Sequence, residues 1–213
     1  AAADSSRKPE EITLLAATKT VPVEVINHSI ALGISHIGEN RVQELCEKYD
    51  GYASVDVQFI GHLQTNKVRQ IISKVSLIQS VDSLHLAQEV SRQAVKAAKQ
   101  QDILLEVNIG REENKSGVLP EALPELLEQV AVLPALHIRG LMAIPPADAA
   151  KSETIRFFSR MTQYFIDIKN KSMDNVNMDY LSMGMSADYE DAIRAGANMV
   201  RVGSALYGAR VYR

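Results

Sequence analysis

Short apolar runs rich in β-branched residues alternate with longer amphipathic segments along the whole chain, and that alternation predicts its elements. Strands are expected over Ile12–Thr18, His36–Glu39, Val57–Gly61, Leu77–Ser80, Ile103–Ile109, Leu136–Ala143, Tyr180–Met183 and Met199–Gly203. Between them a helical period runs through Pro22–Leu32, Arg41–Lys48, Asn66–Ser73, Leu84–Lys99, Leu119–Val132, Ser152–Lys171 and Ala187–Ala195. Local signals agree. Asp82-Ser83 precedes one helix, Pro22 stands in the first turn of another, and Gly33 and Gly196 fall where helices should stop. The opening Ala-Ala-Ala-Asp-Ser-Ser reads like the tail of a helix, so residues are expected upstream of Ala1.

Eight strands alternating with helices fit a closed (β/α)₈ barrel better than the alternative, an open doubly wound sheet. No linker-like composition divides the chain, and residues 1–213 read as one domain. The Pro-rich stretch Ile144-Pro145-Pro146-Ala147-Asp148 reads as a long βα loop.

Composition narrows the class. A chain of 213 residues is long enough for one well-buried core and short for two. The net charge of −3, without a Lys/Arg run, argues against a nucleic-acid partner. Cys46 is the one cysteine, so no disulfide forms within the chain; this suits a reducing compartment, and a cytoplasmic location is expected. No apolar stretch reaches membrane-spanning length and no charged-then-apolar leader opens the chain, so neither a membrane nor export is expected.

In a barrel the chemistry sits at the C-terminal ends of the strands. The first strand closes on Leu14-Leu15-Ala16-Ala17-Thr18-Lys19-Thr20. A lysine that ends an apolar run projects its amine from a low-dielectric wall, where desolvation disfavours the ammonium and leaves a better nucleophile for a carbonyl carbon. A surface lysine snorkelling past its strand is the plainer reading, and position alone does not decide. The seventh strand leads through Ser182-Met183-Gly184-Met185-Ser186 into a helix. The eighth ends in Arg201-Val202-Gly203-Ser204, followed by Ala205-Leu206-Tyr207-Gly208 as a short turn or helix. Small and hydroxylated residues there can turn backbone N–H groups and hydroxyls toward an anion, and these two loops are the usual phosphate site of barrel enzymes. They also occur in ordinary caps.

Strand alternation puts Met199, Arg201 and Gly203 on one side and Val200 and Val202 on the other, which points Arg201 into the mouth. A buried guanidinium needs a partner. Glu39, Glu106, a ligand's ring nitrogen and a phosphate are equal candidates. Glu39-Asn40, His62-Leu63-Gln64, Asn108, the loop Glu112–Gly117 and Met142 are further mouth-facing candidates. Each has a bland alternative as a cap or loop residue. The histidines are scattered and Cys46 lacks a histidine at a recognisable spacing, so no metal is expected.

Taken together, these strand ends resemble the YggS/PROSC family of pyridoxal phosphate homeostasis proteins. The resemblance runs in order through Ala17–Thr20, Gly38-Glu39-Asn40, Phe59–Lys67, Val107-Asn108-Ile109, Asn114–Gly117, Gly140–Pro145, Leu181–Asp188 and Arg201–Arg210. It implies the alanine racemase N-terminal-domain barrel (fold type III among pyridoxal phosphate proteins), with the cofactor held as a Schiff base on Lys19. It also implies a cofactor set of Lys19, Asn40, His62, Met142, Ser182, Met183, Gly184, Arg201, Gly203 and Ser204. Within that set Ser182, Gly203 and Ser204 would hold the phosphate, and Arg201 would face the pyridine nitrogen. Two positions depart from the family's pattern. Gln58 stands where His usually precedes the Phe-Ile-Gly run, and Ala17-Thr18 stands where Val-Ser often precedes the lysine.

A guanidinium does not readily release a proton, so the ring nitrogen would stay unprotonated and the cofactor would be a weaker electron sink. Related racemases add a second base from a further domain. This chain ends at Arg213, soon after its eighth strand, and no such domain is expected. The resulting expectation is a monomeric carrier in intracellular cofactor homeostasis, with apo-enzymes as recipients and little turnover of its own. Two rivals stand beside it. One is an amino-acid racemase using water or a mouth residue such as His62. The other is a phosphosugar aldolase whose Lys19 bonds to substrate without any cofactor.

Overall fold

The computed structural model describes residues 1–208; Ala209-Arg210, at the end of the last matching stretch, lie outside the described residues. Eight strands run parallel to their neighbours: β1 (Thr13–Ala17), β2 (His36–Glu39), β3 (Asp56–Phe59), β4 (Leu77–Val81), β5 (Gln101–Val107), β6 (Leu136–Ala143), β7 (Val176–Met185) and β8 (Met199–Val202). β8 pairs with β1, so the sheet closes as a barrel in sequence order. Helices α1 (Val23–Ala31), α2 (Val42–Lys48), α3 (Val68–Ile71), α4 (Leu84–Lys96), α5 (Leu123–Ala131), α6 (Lys151–Lys169) and α7 (Tyr189–Arg194) fill the crossovers, and α8 (Ser204–Tyr207) follows β8.

Strand alternation divides the apolar residues into two cores. Leu15, Leu77, Leu104, Met142 and Met199 fill the barrel interior with Ile60 and Tyr180. Their neighbours Ala16, Ile78, Leu105, Leu141 and Val200 face outward, under the helices. Each fully buried Leu or Ile contributes about 1.5–3 kcal/mol, so the outer layer supplies most of the stabilisation and the inner one forms a floor beneath the mouth.

The caps follow the local signals. Ser83 Oγ accepts the N–H of Leu86, and Gly33 and Gly196 take left-handed conformations (φ +110° and +117°) just past α1 and α7. Three expectations are revised. The opening residues form two 3₁₀ turns, Ala3–Ser5 and Pro9–Glu11, rather than the tail of a helix. The helix expected over Asn66–Ser73 is a 3₁₀ turn, Thr65–Lys67, running into the single turn of α3. β7 is longer than its apolar stretch, because Asn177 and Asp179 are strand residues whose polar side chains meet partners on β6. Gly140 permits the register shift between those strands: at φ +146°, a Cβ there would lie 1.9 Å from the carbonyl oxygen of Tyr180. Among the described residues no helix is long and apolar enough to cross a membrane, and no cluster of His, Cys, Asp and Glu could hold a metal ion.

Candidate functional site

β1 hands the chain to a turn, Thr18-Lys19-Thr20, at the mouth. Lys19 is half-buried there, on the side of the strand that carries Leu15 into the barrel interior. Beside it, β8 ends in a cradle of backbone donors. The N–H groups of Gly203 and Ala205 both donate to Ser186 Oγ, at 3.1 and 3.2 Å. A Cβ on Gly203 would stand 3.3 Å from the carbonyl oxygen of Ala17, so the cradle closes tightly on the end of β1. Ser204 is exposed at its rim. Tyr207 fastens α8 to α1 through a 2.9 Å bond between its hydroxyl and Ser29 Oγ.

Arg201 lies under the cradle, 4 % exposed, and points inward as the alternation of β8 requires. Its Nη1 donates to Ser182 Oγ at 2.6 Å and its Nη2 to the carbonyl oxygen of Ala143 at 2.9 Å. Ser182 donates onward to Gln79 Oε1 (2.6 Å), Gln79 Nε2 to Gln58 Oε1 (2.7 Å), and Gln58 Nε2 to Asp56 Oδ1 (3.1 Å). This file crosses the interior from mouth to base and is neutral until it ends on the Asp56 carboxylate. Burial pulls the guanidinium down to about 10, against the opposing pull of Glu106 and Asp188, so it is charged at neutral pH. Burial pushes Glu106 up to about 7; Asp82 adds to the rise and Arg201 opposes it.

Glu39 is not Arg201's partner. It follows Ile37 onto the outer side of β2, where its Oε1 accepts bonds from Thr18 Oγ1, Lys48 Nζ and Tyr52 OH. Ser182, expected at a phosphate, has its fully buried hydroxyl between Arg201 and Gln79. Gln58 likewise lies in the interior rather than at the mouth. Met183 packs into the outer core, which leaves only its backbone for a ligand, and a Cβ on Gly184 would meet the Cβ of Ala192 on α7 at 2.5 Å. Met142 is part of the apolar floor. Asn40 stands at the end of β2 with a buried Oδ1 that no group among the described residues satisfies. His62 is exposed on the rim, 3.0 Å from Ser116 Oγ through its Nδ1.

The structure thus brings Lys19, Arg201, Gly203 and Ser204 to two adjoining strand ends, with Leu15 in register with Arg201. Ser186 joins them; the sequence placed it in the hydroxyl-bearing stretch after the seventh strand but not in the cofactor set. Alternation along β7 does not reach it, because the register shifts between Ser182 and Met185 and Gly184 turns toward α7. An amine, converging backbone N–H groups, hydroxyls and a buried cation fit an anionic aldehyde whose phosphate lies at the β8 end. Asn40 Oδ1 fits a further polar group of such a ligand.

Residues 10–211 match the family described as alanine racemase, N-terminal domain. The chain is 44 % identical over 201 residues to the pyridoxal phosphate homeostasis protein of Aquifex aeolicus, spanning 93 % of this chain and 87 % of that one. It is 40 % identical to the protein of the same name from Escherichia coli K12, spanning 100 % and 92 %. The structure of PipY from Synechococcus elongatus with pyridoxal phosphate bound superposes with a TM-score of 0.85 at 32 % identity, covering 97 % of each chain. Alanine racemase of Clostridium difficile, at 19 % identity and a TM-score of 0.78, shares the fold over 54 % of its length.

Proposed function

Since the chain belongs to the alanine racemase N-terminal domain family, and within it to the pyridoxal phosphate homeostasis proteins, we propose that it binds pyridoxal 5′-phosphate and serves the cell's supply of that cofactor. The observation that carries this reading is the pairing of Lys19 with the N–H cradle of Gly203 and Ala205 on hydrogen-bonded neighbours β1 and β8. When bound, the cofactor supplies an aldehyde that condenses reversibly with amines.

Lys19 is the covalent attachment point. The cradle N–H groups, with the hydroxyls of Ser186 and Ser204, hold the phosphate. Ser182 acts at one remove, by orienting Arg201. A guanidinium carries five N–H donors and no acceptor, so Arg201 can donate toward a ring nitrogen but does not protonate it. That favours holding the cofactor over driving carbanion chemistry with it. Asn40 and His62 shape the mouth, Met142 its floor, and the backbone of Met183 and Gly184 sets the approach to Ser186. We read the recipients as apo-enzymes that use the cofactor, and the working form as a cytoplasmic monomer.

Borohydride reduction of freshly loaded protein, followed by peptide mass mapping, tests the assignment. A phosphopyridoxyl group on Lys19 is expected; loaded protein with Lys19 unmodified overturns the reading.

A further inference from the structure

Behind Lys19, outside the barrel wall, three polar side chains converge on the two residues that flank it, and a fourth braces one of them. Thr18 is fully buried. Its Oγ1 donates to Glu39 Oε1 (2.7 Å) and its carbonyl oxygen accepts from Lys48 Nζ (3.1 Å). On the other side Thr20 takes a left-handed conformation (φ +63°), unusual for a β-branched residue, and donates its N–H to Glu44 Oε1. Lys48 Nζ bridges both carboxylates, and Tyr52 OH donates to Glu39 at 2.9 Å. Peptide groups on either side of Lys19 are therefore held by a single cluster drawn from β2, α2 and the segment after α2.

The cluster is costly to keep. Glu39 is completely buried, and one of its oxygens, Oε2, has no partner among the described residues. Burial pushes its carboxyl up, while Thr18 and Lys48 pull it down. Taking a carboxylate out of water costs several kcal/mol, and apolar side chains would fill the same space without that penalty. What they could not supply is direction. Hydrogen bonds to Thr18 and Thr20 fix the peptide planes on both sides of one lysine, and with them the origin of its side chain.

We propose that Glu39, with Lys48, Glu44 and Tyr52, is a positioning cluster for Lys19, holding the strained turn so that the amine is presented in one place. The proposal rests on Lys19 being the attachment point, and its test separates the two ideas. Wild type, Glu39→Gln and Glu44→Gln would be incubated with pyridoxal, which lacks the phosphate, and trapped with borohydride. The rate of labelling at Lys19 is then read by peptide mass mapping beside thermal unfolding of the same samples. Labelling at Lys19 is expected to slow about tenfold in Glu39→Gln, since small misplacements of a reacting group cost that much or more. Glu44→Gln, which touches only Thr20 and Lys48, should slow it less and serves if Glu39→Gln does not fold. The pH midpoint of the absorption band in loaded protein should move in both variants. Equal labelling rates and pH profiles in all folded proteins, with only the unfolding temperature changed, would reduce the cluster to a structural one. Absence of labelling at Lys19 in wild type overturns the attachment reading instead.

Discussion

The two ends of the barrel each hold an inward arginine, and the two are treated in opposite ways. At the base, Arg139 lies between Asp102 (2.7 Å) and Asp179 (2.6 Å), with its guanidinium 5.4 Å over the ring of Tyr180. His137 adds a further contact to Asp102 at 3.2 Å. At the mouth, Arg201 is more deeply buried, yet its bonds go to a hydroxyl and a carbonyl, and among the described residues no carboxylate forms an ion pair with it. The base neutralises its charge within the protein, as suits an end concerned with stability. Neutral acceptors at the mouth hold the cation in place, and Glu106 and Asp188 offset its field without bonding it, which leaves it available to a ligand.

If this contrast is right, charge at the mouth should work against folding, and Glu106 provides the largest test. Its carboxyl titrates near 7 in the folded protein against an ordinary 4.5, so the folded state holds the proton more tightly than the unfolded chain. Stability from this group is then fully present below pH 4.5 and is lost as pH rises through 7. At 1.36 kcal/mol per unit the loss is on the order of 3 kcal/mol at most. Urea denaturation at pH 5 and pH 8 should show wild type losing stability relative to Glu106→Gln. Parallel behaviour of the two proteins would mean that Glu106 is not strained by its surroundings.

The two arginines can also be exchanged for methionine in turn. Arg139→Met strands two carboxylates that are each about a third or more exposed, and should cost about 2 kcal/mol, below the range for a fully buried pair. The cofactor's absorption should not change. Arg201→Met strands no carboxylate and should cost about 1 kcal/mol or less in stability, because only neutral acceptors lose a donor. Here the absorption spectrum and its pH dependence should change. Equal losses of stability with no spectral difference between the variants would break the comparison.

Much of this was legible before the structure. All eight strands follow from apolar runs bounded by turn residues, and alternation along Met199–Gly203 correctly aims Arg201 inward. The same alternation applied to β2 sends Glu39 outward with Ile37. On β7 it breaks at the register shift between Ser182 and Met185, so Ser186 comes to the cradle only through the fold. The misplacement of Glu39 comes from treating position at a strand end as proof of facing the mouth. Other features were beyond local pattern. The longer β7 depends on Asn177 and Asp179 finding partners on β6, and the partners of Arg201 come from residues 58 and 19 positions away. Such pairings exist only once the barrel has closed.

The smallest expected effect concerns the file that joins the two ends. Gln79 accepts a hydrogen bond from the hydroxyl of Ser182 and donates its own N–H to Gln58, so it links Arg201's support to the base. Gln79→Leu keeps roughly the same volume and leaves Ser182 without its acceptor and Gln58 without a donor to its carbonyl. Two neutral bonds at about 1 kcal/mol each and a weaker one to Met199 Sδ (3.1 Å) are lost, offset by the burial of a better apolar side chain, for a net loss of about 1 kcal/mol. A local packing role predicts that change in stability and nothing more. If neutral groups orient Arg201, the cofactor's absorption should also shift in the same direction as in Arg201→Met, by a smaller amount, because the guanidinium remains but is no longer held to one place. A spectrum identical to wild type would confine the ordering of Arg201 to Ser182 and the carbonyl of Ala143.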